Sequence, residues 1–403
     1  MTDKNNIATY ALNGIKVLDL TRVLGGPYAT QILADHGAEV IKVESKIGDE
    51  VRGWGPPFIN EMASYFINVN RNKKSIAIDL TKQEGKDLII ELLKSSDILI
   101  ENFKTGTMEK WGLGYEAVLK NQFPKLIHCR ISGFGSEGPL GGAPGYDAIV
   151  QAMTGMMSIN GQADGEDVRI GAPVVDMGTG LYSTIGILLA LQERNKSGLG
   201  QFLDMSLYDS ALSLMHPHTG NYFLSGKPGK QTGNAHPNIA PYDKFKTATN
   251  EIFMGIGNDA GFVRLCKALN LDHLIDDQRF LTNGDRVKNR EDLTSYLEKA
   301  LENVDGVAFS EKLLSAGIPA GPVMNIEEAL NHPQTIERKM VISKDDYKGV
   351  SSPIKFSRSK SVGVKHKPPF IGQHTREILN DAGYDNQVIE QMIANQIIFE
   401  KKS

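Results

Sequence analysis

At 403 residues the chain exceeds what one hydrophobic core serves, so two domains are expected. Its 40% hydrophobic and 23% charged residues exclude a disordered chain, and a net charge of −4 without a basic cluster among aromatics argues against nucleic acid as a partner. Only Cys129 and Cys266 are present, with no C-x-x-C spacing, which excludes a disulfide scaffold and a thiolate metal site.

The stretch GIKVLDLTRVLGGPYATQILADHGAEVIKVE predicts a strand at 15–20, a tight loop, a helix at 28–36 and a strand at 39–44. This is one βαβ unit, with Pro27 suited to a first helical turn and Gly37 to a stop. A helix at 84–94 behind Thr81 leads to a strand at 97–100, and a helix at 115–120 to a strand at 126–132. Alternation at this pace predicts an α/β fold with an open, parallel, Rossmann-like sheet. Next come a helix at 147–157, a Gly/Asp-rich loop at 161–167, and a short strand at 172–175. A long helix at 177–194 and a strand at 201–205 follow. LSGKPGKQTGNAHPNIAPYD reads as a linker into a smaller α/β domain, and the tail over 331–367 reads as polar and extended. The expected boundaries are a discontinuous large domain, 1–220 with 332–403, and a small domain with its linker, 221–331. Apolar runs such as 185–191 fall short of the ~20 residues of a membrane span, and 1–14 lacks the apolar core of a signal peptide. A cytoplasmic protein without a membrane partner is expected.

ISGFGSEGPLGG contains a G-x-G-x-x-G at Gly133, Gly135 and Gly138, after a strand-like run. A dinucleotide fingerprint needs a helix starting within the motif, its amides facing a pyrophosphate. Here Pro139, Gly141, Gly142 and Pro144 delay any helix to about residue 146, and no acidic residue closes a second strand at the required distance. Neither a nicotinamide nor a flavin is expected. The glycines let backbone approach some other ligand.

Two side chains flank the helix at 147–157: Tyr146 in PGYD and Asp176 in GAPVVDMGTG. Asp176 stands where a helix cap stands, and spacing alone favours that role. Its small neighbours also leave room for a substrate over a carboxylate, which at an ordinary pKa would be ionised at neutral pH and able to attack an activated acyl group. The nine histidines show no metal spacing, so no metal is expected. The cations of NRNKKS (70–75) suit either phosphate contact or a solvated face.

The opening stretch, NRNKKSIAIDL, DILIENF, ISGFGSEGP, GYDAIVQAMTGMMS, GAPVVDMGTGLYSTIGILLAL, AGIPAGPV and GQHTREIL resemble, in this order, the family III CoA transferases, which include formyl-CoA transferase and carnitine CoA-transferase. The resemblance implies an interlocked homodimer. It also implies CoA transfer from an acyl-CoA to a carboxylic acid, with coenzyme A as carrier and Asp176 as nucleophile through aspartyl anhydride and aspartyl-CoA thioester intermediates. For CoA it implies Val23, Leu24 and Gly25, Lys46, the run Ile78, Asp79, Leu80 and Thr81, then Asn102, Phe103 and Lys104, Lys110, and Ala143, Pro144, Gly145 and Tyr146. His236 and Asn238 either contact the acceptor acid or fix their loop. Leu24 stands where formyl-CoA transferase carries glutamine, and GNAHPNIAPYD replaces its glycine run. HPNIAPYDKFKT looks more like the branch acting on succinyl-CoA and dicarboxylic acids. The α-methylacyl-CoA racemases share the fold but carry a histidine at the position of Tyr146, a poor base at neutral pH. A CoA-binding subunit without turnover would have no need of Asp176.

Overall fold

A computed structural model describes residues 10–401 of the chain. They form two compact units: one comprises residues up to Met156, Ile170–Gly220 and the chain from Gln334 on; the other comprises Met157–Arg169 and Asn221–Pro333. The segment Met157–Arg169, which the expected boundaries put in the large domain, belongs to the second unit.

The first unit is built on strands β1 (Lys16–Asp19), β2 (Glu39–Glu44), β3 (Lys73–Ile78), β4 (Ile98–Glu101), β5 (Ile127–Ser132) and β6 (Phe202–Ser206). Among the helices are α1 (Gly25–Asp35), α2 (Gln83–Leu93), α3 (Asp147–Met153) and α4 (Val174–Ser197). The sheet runs in the order C-terminal strand (Ile398–Phe399), β3, β2, β1, β4, β5, β6. Every pair from β3 to β6 is parallel. The C-terminal strand is antiparallel to β3, so the expected parallel sheet is a mixed one. Two residues are too few to show any alternation, and their pairing is set by the preceding helix, Asn386–Ala394, docking its Ile389 in the core.

Alternation along the strands sorts the core into two layers. Val17, Ile98, Ile100, Ile127, Cys129 and Ile131 face α1 and α4, whose Ala29, Leu33, Ile187 and Leu191 complete that layer. Leu18, Ile76, Ile78 and Leu99 point the other way, toward Leu88, Leu92 and the C-terminal helices. The order 3-2-1-4-5-6 leaves a crevice where successive connections diverge, between the carboxyl ends of β1 and β4.

α4 begins earlier than sequence suggests. Val174 and Val175 are its first turn rather than the end of a strand, because Pro173 suits a helix start and the amides that follow find an acceptor on α3. The helix stops at Gly198, whose φ of 76° is the left-handed geometry of a C-terminal stop. It is long and apolar enough to cross a membrane by length and composition, yet half of that stretch is buried in the unit. Thr179, Ser183 and Ile187 face inward, whereas Leu181, Ile185, Leu188 and Leu189 are exposed.

The NRNKKS run is mostly buried and engaged in ion pairs rather than forming a solvated face. Arg71 is buried against Asp35, Lys73 is fully buried against Asp19, and Lys74 meets Glu39 and Glu377. The stretch after 331 is not extended throughout: it carries the short helix Pro333–Glu337 and a hairpin of Val341–Lys344 with Tyr347–Val350.

The second unit has a three-stranded antiparallel sheet, Ala320–Pro322, Ile252–Gly255 and Tyr242–Phe245, in that order. Phe245, Ile252, Met254, Phe262, Leu265 and Leu297 form its core. Arg286 is wholly buried there and donates to the Ala240 carbonyl and to Asp259.

Candidate functional site

The crevice predicted by strand order is present as a cleft of about 240 Å³. The loop after β1 and the first turn of α1 supply Arg22 to Gly26, the loop after β4 Asn102 to Thr105, and the end of β5 and its loop Ser132 and Gly133. Residues 142–146 and Asp176 continue the wall, which Glu50, Ile131 and Leu207 also line. Of the residues singled out in the sequence, Val23, Leu24, Gly25, Asn102, Phe103, Lys104, Ala143, Pro144, Gly145, Tyr146 and Asp176 come together here. Lys46, Ile78, Asp79, Leu80, Thr81 and Lys110 lie outside this wall. Ile78 is buried in β3, and Asp79 accepts from the Thr81 amide and hydroxyl. Lys46 and Lys110 are exposed. His236 and Asn238 are in the second unit, where the His236 ring accepts from the Asn238 amide and Asn238 exchanges side-chain hydrogen bonds with Asn221.

The glycine-rich loop is explained by backbone proximity. A Cβ on Gly133 would lie 2.6 Å from the Gly145 amide nitrogen, so the two ends of the loop touch main chain to main chain. α1 begins at Gly25 with no side-chain cap and no acidic residue in its first turn, and Gly25 and Gly26 line the cleft. The positive end of the helix thus borders the space above Asp176. The contact is close: a Cβ on Gly25 would sit 3.2 Å from the Asp176 carbonyl oxygen, and one on Gly180 of α4 only 2.6 Å from the Gly25 carbonyl.

Asp176 lies in the first turn of α4, where helix amides ordinarily stabilise a carboxylate. Here those amides serve another group. Asp147, at the start of α3, accepts from the amides of Val175 (2.8 Å) and Asp176 (3.1 Å) through one oxygen, and its other oxygen accepts from Gln151. Asp176 is left with burial and a like charge behind it. Burial, then the negative charge of Asp147, pushes its pKa up to about 7. The unperturbed acid expected from sequence is therefore corrected. Tyr65 stands near enough to feel both carboxylates: burial first, then Asp176 and Asp147, raise its pKa to about 12, which keeps it a hydroxyl donor.

Sequence reasoning missed Asp147 as a partner of Asp176, since the two are far apart in the chain and related only by folding. The motif GYD, directly before a helix, was its one visible signal. Asn102 proves to have its amide engaged: it accepts from the Arg22 amide and donates to the Arg22 carbonyl, clamping the loop after β1. Among the described residues no group of three or more His, Cys, Asp or Glu side chains is arranged to hold a metal ion.

Residues 12–375 match the CoA-transferase family III. The chain belongs to that family. This CoA transferase is 39% identical to a mouse succinyl-CoA:glutarate CoA-transferase, over 96% of its own length and 90% of the relative's. It is 36% identical to a succinyl-CoA:mesaconate CoA-transferase of Haloarcula hispanica, over 93% and 96% of the two chains. A crystal structure of a CAIB/BAIF family protein from Brucella suis superposes with a TM-score of 0.83 at 40% identity, covering 93% of the transferase and all of that chain. The transferase is accordingly an enzyme that moves coenzyme A from an acyl-CoA to a carboxylic acid.

Proposed function

We propose that the transfer runs through Asp176, with succinyl-CoA as donor and a dicarboxylic acid as acceptor. The observation that carries the reading is a carboxylate of raised basicity on the wall of a glycine-lined cleft beside an uncapped helix start. The Asp176 carboxylate attacks the thioester carbonyl carbon; the C–S bond breaks, CoA leaves as thiolate, and a mixed anhydride remains. The thiolate attacks the aspartyl carbonyl of that anhydride, releasing the first acid and leaving an aspartyl-CoA thioester. The acceptor carboxylate then attacks this thioester, and the thiolate expelled takes the acceptor's acyl carbon, freeing Asp176. Each attack puts negative charge on a carbonyl oxygen, which the positive end of α1 favours. Tyr146 supplies no second base for α-proton exchange, which weighs against racemisation.

Val23, Leu24, Gly25, Asn102, Phe103, Lys104 and Ala143 to Tyr146 are the cleft residues that would border CoA; Lys46, the 78–81 run and Lys110 are proposed for its nucleotide end. His236 and Asn238 remain proposals for the acceptor acid, in a unit read as the small domain. Dicarboxylate preference is supported by the relatives' names, succinyl-CoA:glutarate and succinyl-CoA:mesaconate CoA-transferase. A homodimer is supported by the exposed apolar face of α4, Leu181, Ile185, Leu188 and Leu189, which a second copy would cover. A reducing cytoplasm suits the two free, buried cysteines.

Intact-protein mass spectrometry after incubation with succinyl-CoA, quenched with hydroxylamine, tests the reading. A hydroxamate on Asp176 in the wild type is expected; no adduct with any of a panel of acyl-CoAs would refute it. Gly133→Ala, which drives a methyl into the Gly145 backbone, should weaken CoA binding about tenfold and cost about 1–3 kcal/mol of stability, read by calorimetric titration and thermal melting.

A further inference from the structure

Under the cleft lies a group of charges that the transfer reaction does not use. Lys42 of β2 and Asp49 are both fully buried and paired at 3.0 Å. Such a pair contributes little net stability of its own, since desolvation offsets the attraction. Its contacts show what it holds. The Lys42 ammonium also donates to the Thr21 carbonyl at 2.8 Å, and Asp49 accepts from the Val23 amide at 3.2 Å. One ion pair therefore grips the main chain on both sides of Arg22.

Val23 is the residue that needs gripping. Its φ is 68°, a conformation that a β-branched side chain strongly disfavours. Immediately after it the chain enters Leu24, Gly25 and the start of α1, which line the cleft against Asp176. Asp49 accepts in addition from the Val51 amide, so with Lys42 and the Val23 amide its carboxylate is fixed from three sides.

We propose that Asp49, backed by Lys42, is a positioning residue for CoA binding: it holds Val23 in its strained conformation and thereby sets the loop after β1 against the cleft. This rests on the cleft being the CoA site. A glycine at position 23 would take the same φ without help. The prediction is therefore a coupling that a purely stabilising ion pair would not produce.

The test is a double-mutant cycle of Asp49→Asn with Val23→Gly, read as the dissociation constant for free CoA by calorimetry and as kcat and KM with succinyl-CoA and glutarate. Displacement of the loop by a fraction of an ångström should weaken CoA binding about tenfold when Asp49→Asn is made beside valine. Beside glycine the same change should cost less than about threefold. Equal losses in both backgrounds, in folded protein by circular dichroism, overturn the proposal. Asp49→Glu, which keeps the buried charge but moves its oxygens one bond further, gives the same comparison where the asparagine variant does not fold. CoA titration does not depend on the acids chosen, so the absence of an acyl adduct on Asp176 would refute the covalent reading and leave this result standing.

Discussion

Asp176→Asn should lower CoA transfer by at least about 10⁴-fold and melt at a higher temperature than the wild type at pH 8. The loss follows from removing the proposed nucleophile. Its size reflects the difficulty of the first step: a carboxylate of ordinary pKa near 4 expelling a thiolate of pKa near 8.5 faces a gap of roughly 4–5 units, each worth ~1.4 kcal/mol. Raising Asp176 to about 7 closes more than half of that gap. The gain in stability follows from the same shift. The folded state holds the Asp176 proton more tightly than the unfolded chain, whose carboxyl titrates near 3.8. Below that value both states are protonated and nothing is lost; between about 3.8 and about 7 the unfolded chain gives up the proton that the folded state keeps, so stability falls with rising pH, and above about 7 the whole cost is present. Partial exposure of the site discounts it to about 1–3 kcal/mol, which asparagine would return. The pH dependence of activity has the opposite sign. The proposed nucleophile is the ionised form, so kcat/KM for the acyl-CoA should fall tenfold per unit below about 7 and level off above it. Pre-steady-state acylation across pH 5–9, with melting curves for both proteins, checks all three expectations.

Asp147→Asn should move that profile to lower pH and reduce kcat about tenfold. Losing the charge behind Asp176 relieves the repulsion that adds to burial in raising its pKa. Asparagine's oxygen can still accept from Val175 and Asp176, but its NH₂ then meets the Gln151 amide, donor against donor. Gln151 cannot simply turn over, because its oxygen already accepts from the Ile170 amide at 2.9 Å. A broken buried pairing of this kind costs about 1–3 kcal/mol, so this variant should melt below the wild type, opposite to Asp176→Asn. A pH–rate profile that does not move would show that Asp147 acts through geometry alone.

Five strands of the large sheet and its crossover helices were legible because apolar runs and glycine or proline punctuation are local signals. The strand Lys73–Ile78 was not read, and the strand expected at 172–175 is the start of the helix that carries Asp176. What the chain conceals is pairing between distant charges. Lys73 read as a cation for phosphate or solvent because a lysine carries no mark of being buried; its partner Asp19 lies on another strand. Asp147 read as an ordinary helix start because the amides it accepts from belong to α4. The raised pKa of Asp176 was hidden for the same reason: burial and a neighbouring charge are properties of the fold. The role proposed for Asp176 comes from the resemblance to family III CoA transferases; spacing alone left it as a helix cap.

The main-chain contact between α1 and α4 has a consequence for motion. With the Gly180 position pressed against the Gly25 carbonyl, the two helices leave no slack in which to slide. Asp176 and the helix start that faces it then move as one body, and neither needs to rearrange between the four attacks of the proposed cycle. Breathing of this unit around a CoA thioester in the proposed site is then expected in the outer segments, 102–105, which line the cleft, and the exposed tip 137–141 of the glycine loop. Hydrogen exchange should accordingly be slow along both helices and fast at that tip, with CoA quenching only the latter.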